Sequence, residues 1–249
     1  MMGAAMSSWT DIKQLMARPQ PVTLPLVLLF AVIPLYLLIQ IWISGGPTHA
    51  PETELDRLVP VRGGWALVYA SLFCAALLPV FVVHQQELVR RTINAFLAMW
   101  LVAYAFFLGY PTIGPRPPQV IEAGFAGWGL RVIYGSDGNY NCFPSLHVAQ
   151  CYLAAFVCHR VHRGVGVVAV VWACLVAAST LFTKQHWALD VAGGIILAAI
   201  AFLAFVQGYP REATPESERR LAPLLALCAF GVFGVMAVLL YCLYALGLH

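Results

Sequence analysis

The chain has 249 residues, of which 61% are hydrophobic and 10% charged, with a mean hydropathy of +0.80. A soluble domain carries about 25% charged residues, so this composition excludes an ordinary soluble enzyme and places most of the chain in lipid. The formal net charge of +3 is small, and no run of Lys and Arg is present, which excludes nucleic acid as a partner.

A helix needs about 20 apolar residues to cross a bilayer. Seven segments meet that requirement, at roughly 22–44, 64–84, 93–110, 144–160, 164–182, 188–207 and 221–247. The residues ahead of the first segment read as a short interfacial helix. The first segment is too long for a signal-peptide core and lacks a clear cleavage site, so it reads as a retained span. Pro34 and Pro79 fall inside spans, where neighbouring helices can satisfy the freed backbone groups. The connection 111–143 reads as a polar loop and Gly208–Arg220 as a charged one. With no internal repeat or soluble linker, residues 1–249 form one integral membrane domain, an all-α polytopic helix bundle.

Loop charges orient the bundle. With the N-terminus cytoplasmic, Lys13, Arg18, Arg90, Arg91, Arg160, Arg163, Arg211, Arg219 and Arg220 lie inside. Arg57, Arg62, Arg116, Arg131 and Lys184 then lie outside. The excess of inside cations favours this orientation. It brings the loop 111–143, the start of the fourth span and the junction of the fifth and sixth spans to the extracytoplasmic face.

The residues able to do chemistry fall in those three segments. In His186-Trp-Ala-Leu-Asp190, a helical spacing of i, i+4 places the carboxylate beside one imidazole nitrogen and leaves the other as a nucleophile or base. A satisfied polar pair joining two helices would have the same spacing. Ionisable groups at membrane depth are costly and favour the functional reading. In Asn141-Cys-Phe-Pro-Ser-Leu-His147, Pro144 suits a first helical turn. The helix start would offer free amides to an anion, with the Ser145 hydroxyl beside them and His147 as a general acid; by itself this string also fits plain capping. Tyr110-Pro-Thr-Ile-Gly-Pro-Arg-Pro117 places Arg116, a planar fork suited to phosphate, at the membrane surface, where an interfacial anchor would also sit. Lys184 brings an ammonium next to His186, or snorkels to lipid headgroups. His49, His84, His159, His162 and His249 receive no role.

Six of the seven cysteines sit in apolar runs and read as packing residues, with Cys142 alone in a polar loop. No CxxC pair gives a zinc signature or a disulfide framework.

Taken in order, Arg-Pro, Pro-Ser-x-His and Ser-x6-His-x3-Asp resemble the type 2 phosphatidic acid phosphatase superfamily over roughly residues 90–207. The resemblance implies a six-helix membrane core with the seventh, C-terminal span outside it. It implies His186 as the nucleophile that takes a phosphoryl group, Asp190 as its orienter and His147 as acid for the leaving group, with Arg116 and Ser145 at phosphate-binding positions. Three positions depart from the family pattern: Gly109 stands where Lys is expected, Thr180 where Arg is expected, and Leu146 where Gly is expected. Lys184 is the candidate replacement for the missing cations. Phe-Pro-Ser-Leu-His and Ser-Thr-Leu-Phe-Thr-Lys-Gln-His look like the inositol phosphorylceramide synthase branch, whose members pass a phospho-headgroup to a lipid hydroxyl.

The expected activity is therefore a lipid-phosphate phosphatase working through a phosphohistidine. The alternatives are a phosphotransferase to a lipid hydroxyl and a lipid-phosphate transporter. No cofactor is expected, and no metal, because Arg116 and Lys184 would repel a dication from the two histidines and Asp190. The partners are a lipid phosphate and the bilayer; the lipid's identity and the oligomeric state are not legible.

Overall fold

The computed structural model describes residues 24–247. The expected interfacial helix at the N-terminus, with Lys13 and Arg18, lies outside the described residues. So does His249.

Helix α1 (Leu24–Ile43) contains Pro34, and α2 (Glu54–Leu58) is a short helix in the connection that follows. A 3-10 turn at Gly63–Trp65 runs into α3 (Ala66–Ala70) and α4 (Leu72–Val82), a nearly continuous rod from 63 to 82. Then come α5 (Gln86–Gly109), α6 (Gly124–Ser136), α7 (Leu146–Val161), α8 (Arg163–Phe182) and α9 (Ala188–Phe205). The chain closes with a 3-10 turn at Arg211–Ala213 and the long α10 (Glu216–Ala245). Among the described residues no strand forms. Isolated bridges pair His49 with Thr112 and Ile113 with Tyr140, tying together the connections at one end of the bundle.

Among the described residues, five helices are long and apolar enough to cross a membrane: 63–82, α5, α8, α9 and α10. Two of the seven expected spans fall outside that set. The apolar part of α1 with described side chains covers Phe30–Ile43, and α7 has only 16 residues. At 1.5 Å per residue α7 is about 24 Å long, short of a hydrocarbon core of about 30 Å.

Helix α7 is the hub of the bundle. Eleven of its 16 residues are buried, and it packs against α8, α9 and α4. Alanines and cysteines on it, including Ala149, Ala154, Ala155, Cys151 and Cys158, let neighbouring backbones approach. Small residues serve this purpose where lipid removes the hydrophobic drive between helices. Gly194 of α9 is one such close approach, because a Cβ there would lie 2.5 Å from the Ser145 carbonyl oxygen.

Helix α10 is peripheral, yet contacts along its length hold it to the core. Trp172 stacks on Phe230 with ring centroids 4.6 Å apart. Near its start, the buried Glu218 carboxylate accepts hydrogen bonds from the amides of His84 and Gln85, capping α5. His162, given no role from sequence, caps α8 by accepting from the Val165 amide at 3.2 Å.

Two local expectations are corrected. The connection 111–143 is not wholly loop, because α6 occupies 13 of its residues. Its Phe125, Trp128 and Ile133 supply an apolar face that the four glycines of the segment obscure. Pro144 does not sit in a first helical turn: Ser145 is the N-cap of α7, so Pro144 precedes the cap and ends the approach to the helix.

Candidate active site

Three hydrogen bonds bring the chemistry-bearing segments to one end of the bundle. The Ser145 amide donates to the Asp190 carbonyl at 3.0 Å, and the Trp187 indole donates to the Ile113 carbonyl at 2.7 Å. The Cys142 amide donates to the Thr112 hydroxyl at 3.1 Å. The loop after α5, the start of α7 and the α8–α9 junction are thereby locked together.

At their centre, His147 Nδ1 lies 3.0 Å from His186 Nε2. On its other side, His186 Nδ1 lies 3.4 Å from Asp190 Oδ2. The latter is a close approach without hydrogen-bond alignment, since His186 Nδ1 and Asp190 Oδ1 are both buried without a hydrogen-bond partner. Such contacts commonly tighten only when a reactant is bound. His186 and Asp190 are almost fully buried, and the row Asp190–His186–His147 forms one continuous line of polar groups.

The spacing argument for His186 and Asp190 reached the right neighbours by the wrong route. His186 is not on a helix: α9 begins at Ala188 with Trp187 as N-cap, so His186 precedes the cap. Asp190 is the third residue of α9, and its Oδ2 accepts from the Trp187 amide at 2.9 Å. Capping turns the carboxylate back toward the incoming chain, and this brings it to the imidazole.

The approach to His186 is held by Thr180, Lys184 and Asp56, of which Asp56 was not singled out from sequence. Thr180, standing where a cation was expected, is fully buried, and its carbonyl accepts from the amides of Gln185 and His186. Lys184 takes a left-handed backbone at φ +54, a conformation unusual for a non-glycine residue. Asp56 grips the turn from below: its Oδ1 accepts from the Ala188 amide at 2.8 Å, and its carbonyl accepts from Lys184 Nζ at 2.9 Å. The Lys184 ammonium is thus directed to α2, with no contact to either histidine. Partial burial pulls it below its ordinary pKa, while Asp56 and Glu52 act the other way.

Arg116 is also committed. Nη1 donates to the carbonyls of Tyr134 and Asp137, and Nη2 donates to the Gly138 carbonyl and Gln185 Oε1. It closes the end of α6 and reaches the residue next to His186. Its Nε–H is buried and without a partner. Ser145 is fully buried and caps α7, its hydroxyl accepting from the Val148 amide at 3.3 Å. Gly109, the other departure from the expected cations, faces open space.

The far side of His147 carries a second carboxylate that no motif announced. His147 Nε2 lies 3.7 Å from Asp137 Oδ2 and 3.4 Å from the Tyr69 hydroxyl. Asp137 in turn accepts from the Tyr36 hydroxyl and from Gln40 Nε2 at 3.1 Å. Asp137 follows α6 in a Ser-Asp-Gly turn, where sequence alone suggests only solvation.

A metal-type donor set is also present: Cys142, His186 and Asp190 offer ligand atoms within 4.8 Å of one another, all buried. Burial pushes the Cys142 thiol well above its ordinary pKa; Asp190 adds to this, Arg116 opposes it and Asp137 adds again. That favours the protonated thiol, whereas a metal would require thiolate.

Residues 64–204 match the model of the PAP2 superfamily. A PA-phosphatase related-family protein of Dictyostelium discoideum is 24% identical over 137 residues, covering 51% of this chain. The matched stretch is 24% of that relative's own length. No solved structure matches.

Proposed function

The chain belongs to the PAP2 superfamily, and on that premise we propose that it is a membrane phosphatase that removes phosphate from a lipid through a phosphohistidine on His186. The observation that carries the reading is the unbroken row from Asp190 through His186 to His147, with 3.4 Å and 3.0 Å between successive partners.

One tautomer assignment fits the order of groups in the row. His186 keeps its proton on Nδ1, facing Asp190, so Nε2 holds a lone pair for attack on phosphorus. His147 is the group assigned to protonate the leaving oxygen through Nε2–H; burial disfavours its charged form, and Asp137 offsets this from 3.7 Å. Attack forms the N–P bond and breaks the P–O bond, and the lipid alcohol leaves with the proton from His147. Water then attacks the phosphohistidine. Its proton passes to His147 Nε2, and the bonding pair of the N–P bond returns to His186. Phosphoryl transfer develops charge on the equatorial oxygens; the first amides of α7, the Ser145 hydroxyl and the Arg116 Nε–H are the donors assigned to it. Lys184 contributes at longer range by holding the turn that carries His186. No metal takes part. The site opens on the extracytoplasmic face, with the N-terminus cytoplasmic, as the distribution of Lys and Arg favours.

The test is trapping. Purified protein incubated with a radiolabelled lipid phosphate and quenched in alkali should retain label on His186, located by peptide mapping. His186→Ala should abolish both label and phosphate release; turnover that survives in this variant removes His186 as nucleophile.

A further inference from the structure

Helix α7 starts beside the histidines and ends at Val161, about 24 Å away at the opposite end of the bundle. Arg160 and Arg163 flank the corner where α7 turns into α8. Arg160 Nη2 donates to the carbonyls of Gln207 and Tyr209, which draws the connection after α9 against that corner. Arg211 follows Tyr209 by two residues, and Arg219 stands in the first turn of α10. Four cations from three separate stretches of chain thus share one corner. Burial and the charges of Arg163, Arg160 and Arg219 pull Arg211 below its ordinary pKa, and Glu212 opposes them.

The chain itself does little to offset this charge. Among the described residues none of the four arginines forms an ion pair. Of the carboxylates at the same end, Glu87 is taken by Arg90 and Arg91, and Glu218 by the amides that open α5. The Arg160 Nε–H is buried without a partner. An orientation rule needs only a count of cations on one side, whereas here a hydrogen-bonded loop gathers them into a cluster.

The surface next to the cluster selects among anions. Val167 and Val171 continue the face of Arg163 along α8, and Leu227 lies two turns beyond Arg219 on α10. All three are more than half exposed. Both helices are long and apolar enough to cross a membrane, and they begin at this corner. A phosphate on the arginines with apolar chains along the valines uses both halves of the surface, while a free anion uses only the first. Basic clusters at the ends of spans attract anionic headgroups, and guanidinium forks match phosphate oxygens in pairs.

We propose that the corner formed by Arg160, Arg163, Arg211 and Arg219 binds the headgroup of an anionic phospholipid, with its chains along Val167 and Val171. The bound lipid clamps the α9–α10 connection to the α7–α8 corner and relieves the repulsion among the arginines. This site is separate from the reaction assigned to His186 and does not depend on it.

The test compares the full chain in vesicles of phosphatidylcholine, with and without phosphatidylglycerol. Phosphatidylglycerol should raise the unfolding temperature, and inorganic phosphate should not; stabilisation by inorganic phosphate as large as that by the lipid overturns the lipid assignment. Native mass spectrometry from detergent should find phosphatidylglycerol retained in preference to phosphatidylcholine. Arg163→Gln and Arg211→Gln should each lower that preference about fivefold, the scale of one basic residue at an anionic surface. Arg62→Gln, which removes an exposed cation near the end of the bundle that carries His186, should leave it unchanged. An equal loss in Arg62→Gln would mean that overall charge alone draws the lipid, and overturns the site. Stability carries a sign that a structural role does not share. In phosphatidylcholine alone Arg163→Gln should unfold no earlier than the unaltered protein, because a repulsion is removed; with phosphatidylglycerol it should unfold earlier. The same drop in both vesicles overturns the proposal. His186→Ala should keep the lipid preference, so failure of the nucleophile and failure of this site give different results.

Discussion

His147 Nδ1 and His186 Nε2 face each other across 3.0 Å, so the proposed acid and the proposed nucleophile share one hydrogen bond when no phosphate lies between them. A single proton holds both rings in orientation, and an arriving phosphoryl group must part them. The two residues should therefore respond differently to the leaving group. His147→Ala is expected to lower lipid-phosphate turnover by about 100- to 10,000-fold. With p-nitrophenyl phosphate, whose leaving group needs no proton, the loss in nitrophenol release should be far smaller. Equal losses with both substrates would show that His147 does not act as the acid.

Asp56 should matter although it touches no reacting group. Its carboxylate holds the Ala188 amide, and its carbonyl holds Lys184 Nζ, on either side of His186. Asp56→Ala should cost about 0.5–2 kcal/mol, the usual loss for a helix cap, read as a lowered unfolding temperature in detergent. Activity should fall further than stability, with Asp56→Asn restoring part of both. A variant with a lowered Tm and full kcat would show that the turn carries His186 without help from α2.

Gly194 tests the contact that sets α9 against α7. A Cβ at this position would lie 2.5 Å from the Ser145 carbonyl and 3.3 Å from the Ala149 amide nitrogen. Gly194→Ala should destabilise by about 1–3 kcal/mol, as overpacking does, and loosen the bond from the Ser145 amide to the Asp190 carbonyl. Thermal unfolding and kcat should both drop; a neutral variant would mean that α9 can shift without cost.

Cys142 separates a metal-free site from a metal-held one. As a protonated, buried thiol it should resist maleimide at neutral pH until the protein is unfolded in dodecyl sulfate, and prolonged treatment with EDTA should leave turnover unchanged. Rapid labelling after EDTA, together with activity restored by zinc, would assign Cys142, His186 and Asp190 to a metal.

Much of this site was legible in the sequence because its residues are tied to short fixed spacings. His147 follows Ser145 by two positions and Asp190 follows His186 by four, so local backbone geometry decides their neighbourhood. Even so, the cap at Trp187 replaced the helical face assumed for His186. Asp137, Tyr69 and Asp56 were not legible: they reach the site from α6, the 63–82 rod and α2, through contacts between residues far apart in the chain. Arg116 and Lys184 lie in segments that flank His186, but their donors are drawn to carbonyls at Asp137, Gly138 and Asp56. A charge in a sequence says nothing of which acceptor it will meet. The bundle itself was foreseen from apolar length, whereas α6 was missed because Gly124, Gly127, Gly129 and Gly135 hide its helical character.

The cap that Glu218 places on α5 bears on how this protein can be cut. A construction ending at residue 210 would keep the whole matched stretch, and by sequence comparison it would look like a sensible minimal unit. It would also strip the carboxylate from the amides of His84 and Gln85. Uncapped donors in an apolar setting cost about 1–3 kcal/mol each. Severed there, α5 would fray from its first turn, and the shortened protein should be recovered poorly from membranes. The terminal helix is better regarded as a keystone than as an appendage, and fusion partners or tags belong beyond it.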